Sequence, residues 1–223
     1  MEVKLLTSPA SMKDMEKFTA LAALICHANA GNMNKEGYKP SDTLRNIIKL
    51  KHESILEHIN LTYSVKGLSR ACLQELARHR HISLSVESTR HTLREQLLET
   101  GIEHYPVRSI MVKVLGMDKE INLFDELFAV LGNIAEDNPE MSNDELKYYV
   151  PEFWPTNLIL TANIRELRHI LKLRTAPAAL KEFRVLAYSL YEAVPIEYRY
   201  LLTDCVYREL HPLSEGKEKE NDN

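Results

Sequence analysis

Arg78, Arg80, Arg90 and Arg94 lie within seventeen residues, together with Ser83, Ser85, Ser88 and Thr89. Glu87 is the only acid in that stretch, so it carries +3 in a chain whose formal net charge is −4. A guanidinium is a rigid planar fork that meets a phosphate or carboxylate through two parallel hydrogen bonds, and hydroxyls complete the shell around an oxyanion. Three chemistries fit such a stretch: a solvated helix face, a nucleic-acid contact, or a pocket for a phosphorylated small molecule. A single exposed arginine is most often a solvated charge. A mixture of arginines and hydroxyls with one compensating acid weakens that reading.

A second cationic group follows Asn163. Arg165 and His169 are four apart, on the helix face opposite Ile164, Leu167 and Leu171, and Arg174 closes the segment. The spacing fits an amphipathic helix with a basic outer face and fits a second anion site equally well. The acidic total weighs against general nucleic-acid binding, although a local patch could still provide it.

Other chemistries are disfavoured. The seven glycines form neither GxGxxG nor GxxxxGK[ST], so a phosphate would be held by side chains or helix N-termini. Cys26, Cys72 and Cys205 sit in apolar patterns and read as inert buried thiols. Odd in number and far apart, they fit a reducing cytoplasm. His52 and His58 are six apart, and His79 and His81 two apart, so neither pair has a zinc-ligand spacing and no metal is expected. With 44% hydrophobic and 27% charged residues the chain is ordinary for a globular protein, and 223 residues suit one catalytic domain over 1–213. No apolar run approaches the ~20 residues of a membrane span, and no signal segment is expected at the start. The polar segment 214–223 reads as a disordered tail.

The elements that must position these residues follow from periodicity. Met15, Phe18, Ala22 and Ile25 predict a helix capped by Ser11, with that stripe inward. Residues 29–40 read as a loop, and a second helix runs from about Ser41 with Leu44, Ile47 and Ile48 as its stripe. Ile59, Leu61, Tyr63 and Val65 alternate with polar residues, predicting a half-buried strand that ends at Gly67. Ser69 caps a helix carrying Leu73, Leu76 and Ala77 inward and delivering Arg78 near its last turn. Residues 107–115 suggest a short strand, and Phe124, Leu127, Leu131 and Ile134 a helix. Ser142 with Glu145, and Asn163 with Glu166, form capping boxes. Residues 157–162 fit a strand or a buried helix entry. Pro177 opens a last helix with Leu180, Phe183, Ala187, Leu190 and Val194 on one face.

The motif Arg78-His79-Arg80, seven residues, then Ser88, with Arg90 two further on, resembles the signature of the flavin-dependent thymidylate synthases. "HESILEH" is similar to the family's upstream segment, "GLSRACLQELARHR" to its helix entering the signature, and "NIRELRHILKLR" to its Asn-x-Arg-Ser-Leu helix closing with Arg. The resemblance runs from about His52 to Arg174. It implies an α/β (α+β) fold with helices around a central, mostly antiparallel sheet. It also implies a homotetramer whose FAD and dUMP sites are shared between subunits, while the composition leads us to expect a cytoplasmic protein with no nucleic-acid or membrane partner. The implied reaction methylates dUMP to dTMP, with carbon from methylenetetrahydrofolate and hydride from FAD reduced by NADPH. No cysteine nucleophile is needed, in agreement with the inert thiols.

By the same resemblance, Ser54, Glu57, Arg78, His79, Arg80, His81, Asn163, Arg165 and His169 hold FAD, with His52 close to the ring. Glu75, Arg78, Val86, Glu87, Ser88, Thr89, Arg90, Lys147 and Arg174 address dUMP, with Arg90 on the phosphate. Arg174 is the implied catalytic side chain, a fixed cation that stabilises charge growing on the uracil ring as C5 becomes nucleophilic. The chain departs from the family pattern at Glu75 (often Gln), Val86 (often Glu or Gln), Lys147 (usually Arg) and His91 (often aromatic). These departures leave open a relative acting on another pyrimidine nucleotide such as UMP.

Overall fold

The computed structural model describes residues 1–99, 119 and 121–207. The strand expected over 107–115 and the tail over 214–223 lie outside the described residues. A four-stranded antiparallel sheet has the order β1-β2-β4-β3, with β1 Glu2–Leu5, β2 Asn60–Ser69, β3 Ile82–Val86 and β4 Pro155–Asn163. The fold is mixed α/β, as the resemblance implies. The chain divides into two compact units. One comprises Met1–Glu2, Val65–Arg78 and Leu84–Ile159, and the other Val3–Ser64, His79–Ser83 and Leu160–Asn223.

In the first unit, α3 (Arg70–Ala77) starts on Ser69, the last residue of β2, whose hydroxyl accepts from the Cys72 N–H as its sequence position predicts. Leu73 is only half-buried and Ala77 is exposed; Cys72 and Leu76 form the inward face. Gly67 does not end β2. It takes φ +69° inside the strand, a conformation glycine adopts without strain, and its N–H donates to Asn157 Oδ1 at 3.1 Å. The helices α4 (Thr89–Glu99), α5 (Ile121–Asp137) and α6 (Asn143–Leu146) enclose a core of Leu93, Leu97, Phe128, Leu131, Ala135, Leu146 and Trp154. Phe128 and Trp154 stack with their centroids 5.7 Å apart. Ser142 and Glu145 form the expected reciprocal capping box at α6. Arg94 donates to the carbonyls of Ala135, Asn138 (3.0 Å) and Met141, tying down the end of α5. One of the four arginines in the cationic stretch is therefore structural.

In the second unit, α1 (Pro9–Cys26) packs on α2 (Pro40–Lys49). The cap of α1 is Ser8, not Ser11, because Pro9 takes the first helical position and Ser8 accepts from the Ser11 N–H. Its inward face is Met12, Thr19, Ala20 and Ala23, whereas Phe18 and Ile25 are 67% and 60% exposed. The helix is apolar on several sides, so its pattern does not select one. Cys26 consequently is exposed, against expectation, while Cys72 and Cys205 are buried. The helix α7 (Ile164–Arg174) follows β4 directly and packs on the 3-10 segment Glu53–His58 and on α8 (Lys181–Glu192). α8 begins after Leu180 rather than at Pro177, because the Arg184 guanidinium binds the Pro177 and Ala179 carbonyls and holds that approach as a turn.

Candidate functional site

Asn163 ends β4 and caps α7, its side chain accepting from the Glu166 N–H at 2.8 Å. That cap fixes the rotation of α7. Ile164, Leu167, Ile170 and Leu171 enter the core, leaving Arg165 and His169 exposed on the opposite face as the sequence predicts. Those two, with Glu53, Glu57, His81, Asn163, Glu166 and Lys172, line a cavity of about 520 Å³. Arg165 pairs with Glu57 at the mouth, where both side chains are about half exposed. The structure thus brings Glu57, His81, Asn163, Arg165 and His169 to one cavity. Ser54, three residues before Glu57, lines a different cavity of about 290 Å³ with Cys26, His27 and His52. Arg80 is exposed.

The second half of the expected Asn163–Glu166 capping box is missing, because the Glu166 carboxylate points to His79. Buried His79 lies between two charged groups. Arg174 Nε donates to its Nε2 at 3.1 Å, and its Nδ1 is 3.2 Å from Glu166 Oε1. A nitrogen that accepts from a guanidinium carries the lone pair, so the proton of the neutral ring is on Nδ1 and is donated to Glu166. Burial and the Arg174 charge push the His79 pKa below the ordinary 6.5; the Glu166 hydrogen bond and charge oppose this, and His169 adds to the lowering. The Arg174 guanidinium also lies over the Phe183 ring, 4.7 Å from its centroid.

Two roles in this region escaped the sequence reading, which took Glu166 only as a capping-box member and did not single out Arg168. Glu166 stands where the Asn-x-Arg-Ser-Leu pattern has Ser, and that departure was its available signal. Arg168, in the same helix, has a side chain only 1% exposed, bonded to Glu53, Asp204 and the Leu201 carbonyl. Burial opposes ionisation of Glu53 and Asp204, but Arg168 outweighs it and holds both carboxyls below their usual range. Nothing in the local pattern distinguishes Arg168 from a surface arginine.

The remaining site residues belong to the first unit. Arg78 is the exposed C-cap of α3, and Glu75 is half-buried on that helix. Val86 is the exposed end of β3, which the sequence reading missed. Glu87 accepts from Gln96 (2.7 Å) and Asn157 (2.6 Å), so its carboxylate braces the turn between β3 and α4. Thr89 is buried, while Ser88 and Arg90 are exposed. Arg90 forms a two-bonded pair with Asp144 at 2.6 and 2.9 Å. The hydrogen bonds from Arg90 overcome desolvation to hold the Asp144 carboxyl below its usual range, helped by the charges of Arg90, Lys147 and His91. Asp144 therefore occupies the fork that the sequence assigns to a phosphate, with Lys147 and His91 nearby. Among the described residues, no group of three or more His, Cys, Asp or Glu could hold a metal, and no helix is long and apolar enough to cross a membrane.

A polar cavity at a capped helix start and an arginine–hydroxyl turn, on a mixed α/β fold, are features that suit a protein handling phosphorylated small molecules. Residues 9–196 match the family model described as Thy1, thymidylate synthase complementing protein, and the chain belongs to that family. The flavin-dependent thymidylate synthase of Campylobacter jejuni is 40% identical over 164 residues, covering 73% of this chain and 78% of that protein. Its counterpart in Wolinella succinogenes is 43% identical over 155 residues, covering 69% and 75%. The crystal structure of thymidylate synthase X from Helicobacter pylori with FAD and dUMP matches with a TM-score of 0.75 at 31% identity. That match covers 92% of this chain and 99% of that one.

Proposed function

We propose that the chain is a flavin-dependent thymidylate synthase that binds FAD and methylates dUMP to dTMP. The observation that carries this reading is the family match over 9–196, which spans both the cavity and the Arg90 turn. In the finer form of the proposal, methylenetetrahydrofolate gives the carbon, NADPH reduces the flavin, and a homotetramer shares its sites between subunits.

The cavity chemistry fits the cofactor. Its lining mixes cations (Arg165, Lys172) with carboxylates (Glu53, Glu57, Glu166), and a flavin dinucleotide presents both diphosphate acceptors and hydroxyl donors. Glu57, His81, Asn163, Arg165 and His169 would hold it there; the resemblance adds Ser54, Arg78, His79 and Arg80 as flavin contacts, none of which lines that cavity. FAD, once reduced, supplies the hydride. Arg90, Lys147, Ser88 and Thr89 would hold the dUMP phosphate, and Glu75, Arg78, Val86 and Glu87 would shape the nucleotide's surroundings. Lys147 meets phosphate as a point charge, without the two-bonded geometry of an arginine. Arg174 would stabilise the charge that grows on the uracil ring.

Purified protein should be yellow or become so on adding FAD, and dUMP should stimulate NADPH oxidation and be converted to dTMP. A colourless protein that cannot be loaded with FAD would sink the proposal. Because Asp144 holds the Arg90 fork, a nucleotide phosphate must displace it. Asp144→Asn is therefore expected to tighten dUMP binding by about two- to five-fold, the scale of one exposed ion pair. Calorimetric titration with dUMP measures this, and weaker binding in the variant would contradict the phosphate role of Arg90.

A further inference from the structure

We infer that Glu166 and His79 are a positioning pair for Arg174: the Glu166 carboxylate fixes His79 as the Nδ1–H tautomer, whose Nε2 lone pair then aims the Arg174 guanidinium. This inference rests on the reading of Arg174 as the group that addresses the uracil ring.

The hydrogen bonds on the two ring nitrogens fix which group donates and which accepts. Arg174 has donors only, so the atom 3.1 Å from its Nε must accept. His79 Nε2 can accept only while the ring is neutral and the proton is on Nδ1. The carboxylate 3.2 Å from Nδ1 favours that tautomer over the alternative, which would set a lone pair against Glu166. The Phe183 ring lies 4.7 Å from the guanidinium carbon and 5.9 Å from the His79 ring, so one aromatic wall confines both groups. His169 meets His79 edge-on at 5.8 Å from the cavity side. The charged and titratable groups facing His79 are Arg174, Glu166 and His169. Nε of Arg174 is the nitrogen nearest its stem, so anchoring it there sets the plane of the group and the direction of its two terminal nitrogens.

Protonation would undo the arrangement. An imidazolium has Nε2–H facing Nε–H, with two cations in contact, and Arg174 must then turn away. Activity should therefore fall on the acid side with the titration of His79. Glu166 raises the His79 pKa, so removing its charge lets the neutral ring persist to lower pH.

The test uses Glu166→Gln, whose amide oxygen still accepts from Nδ1–H, and Glu166→Leu, which cannot. Glu166→Gln is expected to move the acid limb of dUMP-dependent kcat down by about one pH unit. Glu166→Leu is expected to lower kcat by about ten-fold while changing the KM for dUMP less than about three-fold, the pattern of a lost transition-state interaction. In flavin-free protein with 15N-labelled histidine, the resonances perturbed in Glu166→Gln should show the Nδ1–H tautomer. An Nε2–H tautomer, or an acid limb that stays or moves up in Glu166→Gln, overturns the inference. If Glu166→Leu fails to fold, the Gln variant and the tautomer measurement decide. If the protein cannot take up FAD, the functional reading fails while the tautomer result still stands by itself.

Discussion

Arg174→Ala keeps its flavin and loses dTMP formation by on the order of 10²-fold or more, the scale seen when one preorganised donor is removed from a developing charge. Arg174 is in the last helical position of α7, and its guanidinium is held by His79 on one edge and by the Phe183 ring across its face. A cation fixed before the reaction need not reorganise when charge appears, so its removal is expected to act on the chemical step. The cavity residues Glu57, Asn163, Arg165 and His169 are untouched by the change, so cofactor binding should survive. Single-turnover formation of dTMP, beside flavin absorbance of the purified variant, separates the two effects. Unchanged turnover would remove Arg174 from the catalytic assignment.

The second large effect concerns stability. Arg168→Met should lower unfolding free energy by about 3 kcal/mol, the low end for breaking a buried ion pair. That is roughly 6–12 °C in melting temperature for a chain of this size. The low end applies because Asp204 is about half exposed and Glu53 partly so, and both can regain water when their partner is lost. The loss should also depend on pH. Arg168 holds Glu53 and Asp204 below their ordinary values of 4.5 and 3.8. A carboxyl with a depressed folded-state pKa contributes stability above its unfolded value and loses it as pH falls through the folded one. The gap between wild type and variant should therefore be full above about pH 4.5 and shrink in stronger acid. Thermal melts across that range check both parts, and a gap independent of pH would show that packing alone makes Arg168 matter.

Local features were legible in the sequence because their physics is local. Ser69, Ser142 and Asn163 cap helices where their position says they should, and Arg165 and His169 share the face that four-residue spacing gives them. The Arg–hydroxyl stretch suggested an anion site because guanidinium and hydroxyl groups suit that chemistry. Yet two of its arginines already have protein partners, Arg94 on carbonyls and Arg90 on Asp144. That leaves a smaller cationic surface than the count of charges suggested, and it weakens the nucleic-acid reading. What could not be read depends on residues distant in the chain. Glu166 meets His79 across 87 positions, and Arg168 meets Glu53 across 115. The outward turn of Phe18 and Ile25 was hidden because apolar residues surround α1 on several sides.

In two of the strand-to-helix passages the strand's final residue is itself the helix cap: Ser69 between β2 and α3, Asn163 between β4 and α7. No slack exists at either hinge. One inserted residue would turn everything downstream by about 100°, carrying Arg165 and His169 round toward the apolar interior. Natural length variation among relatives should consequently avoid these two points, and engineers wishing to graft extra segments would do better to choose the turns elsewhere.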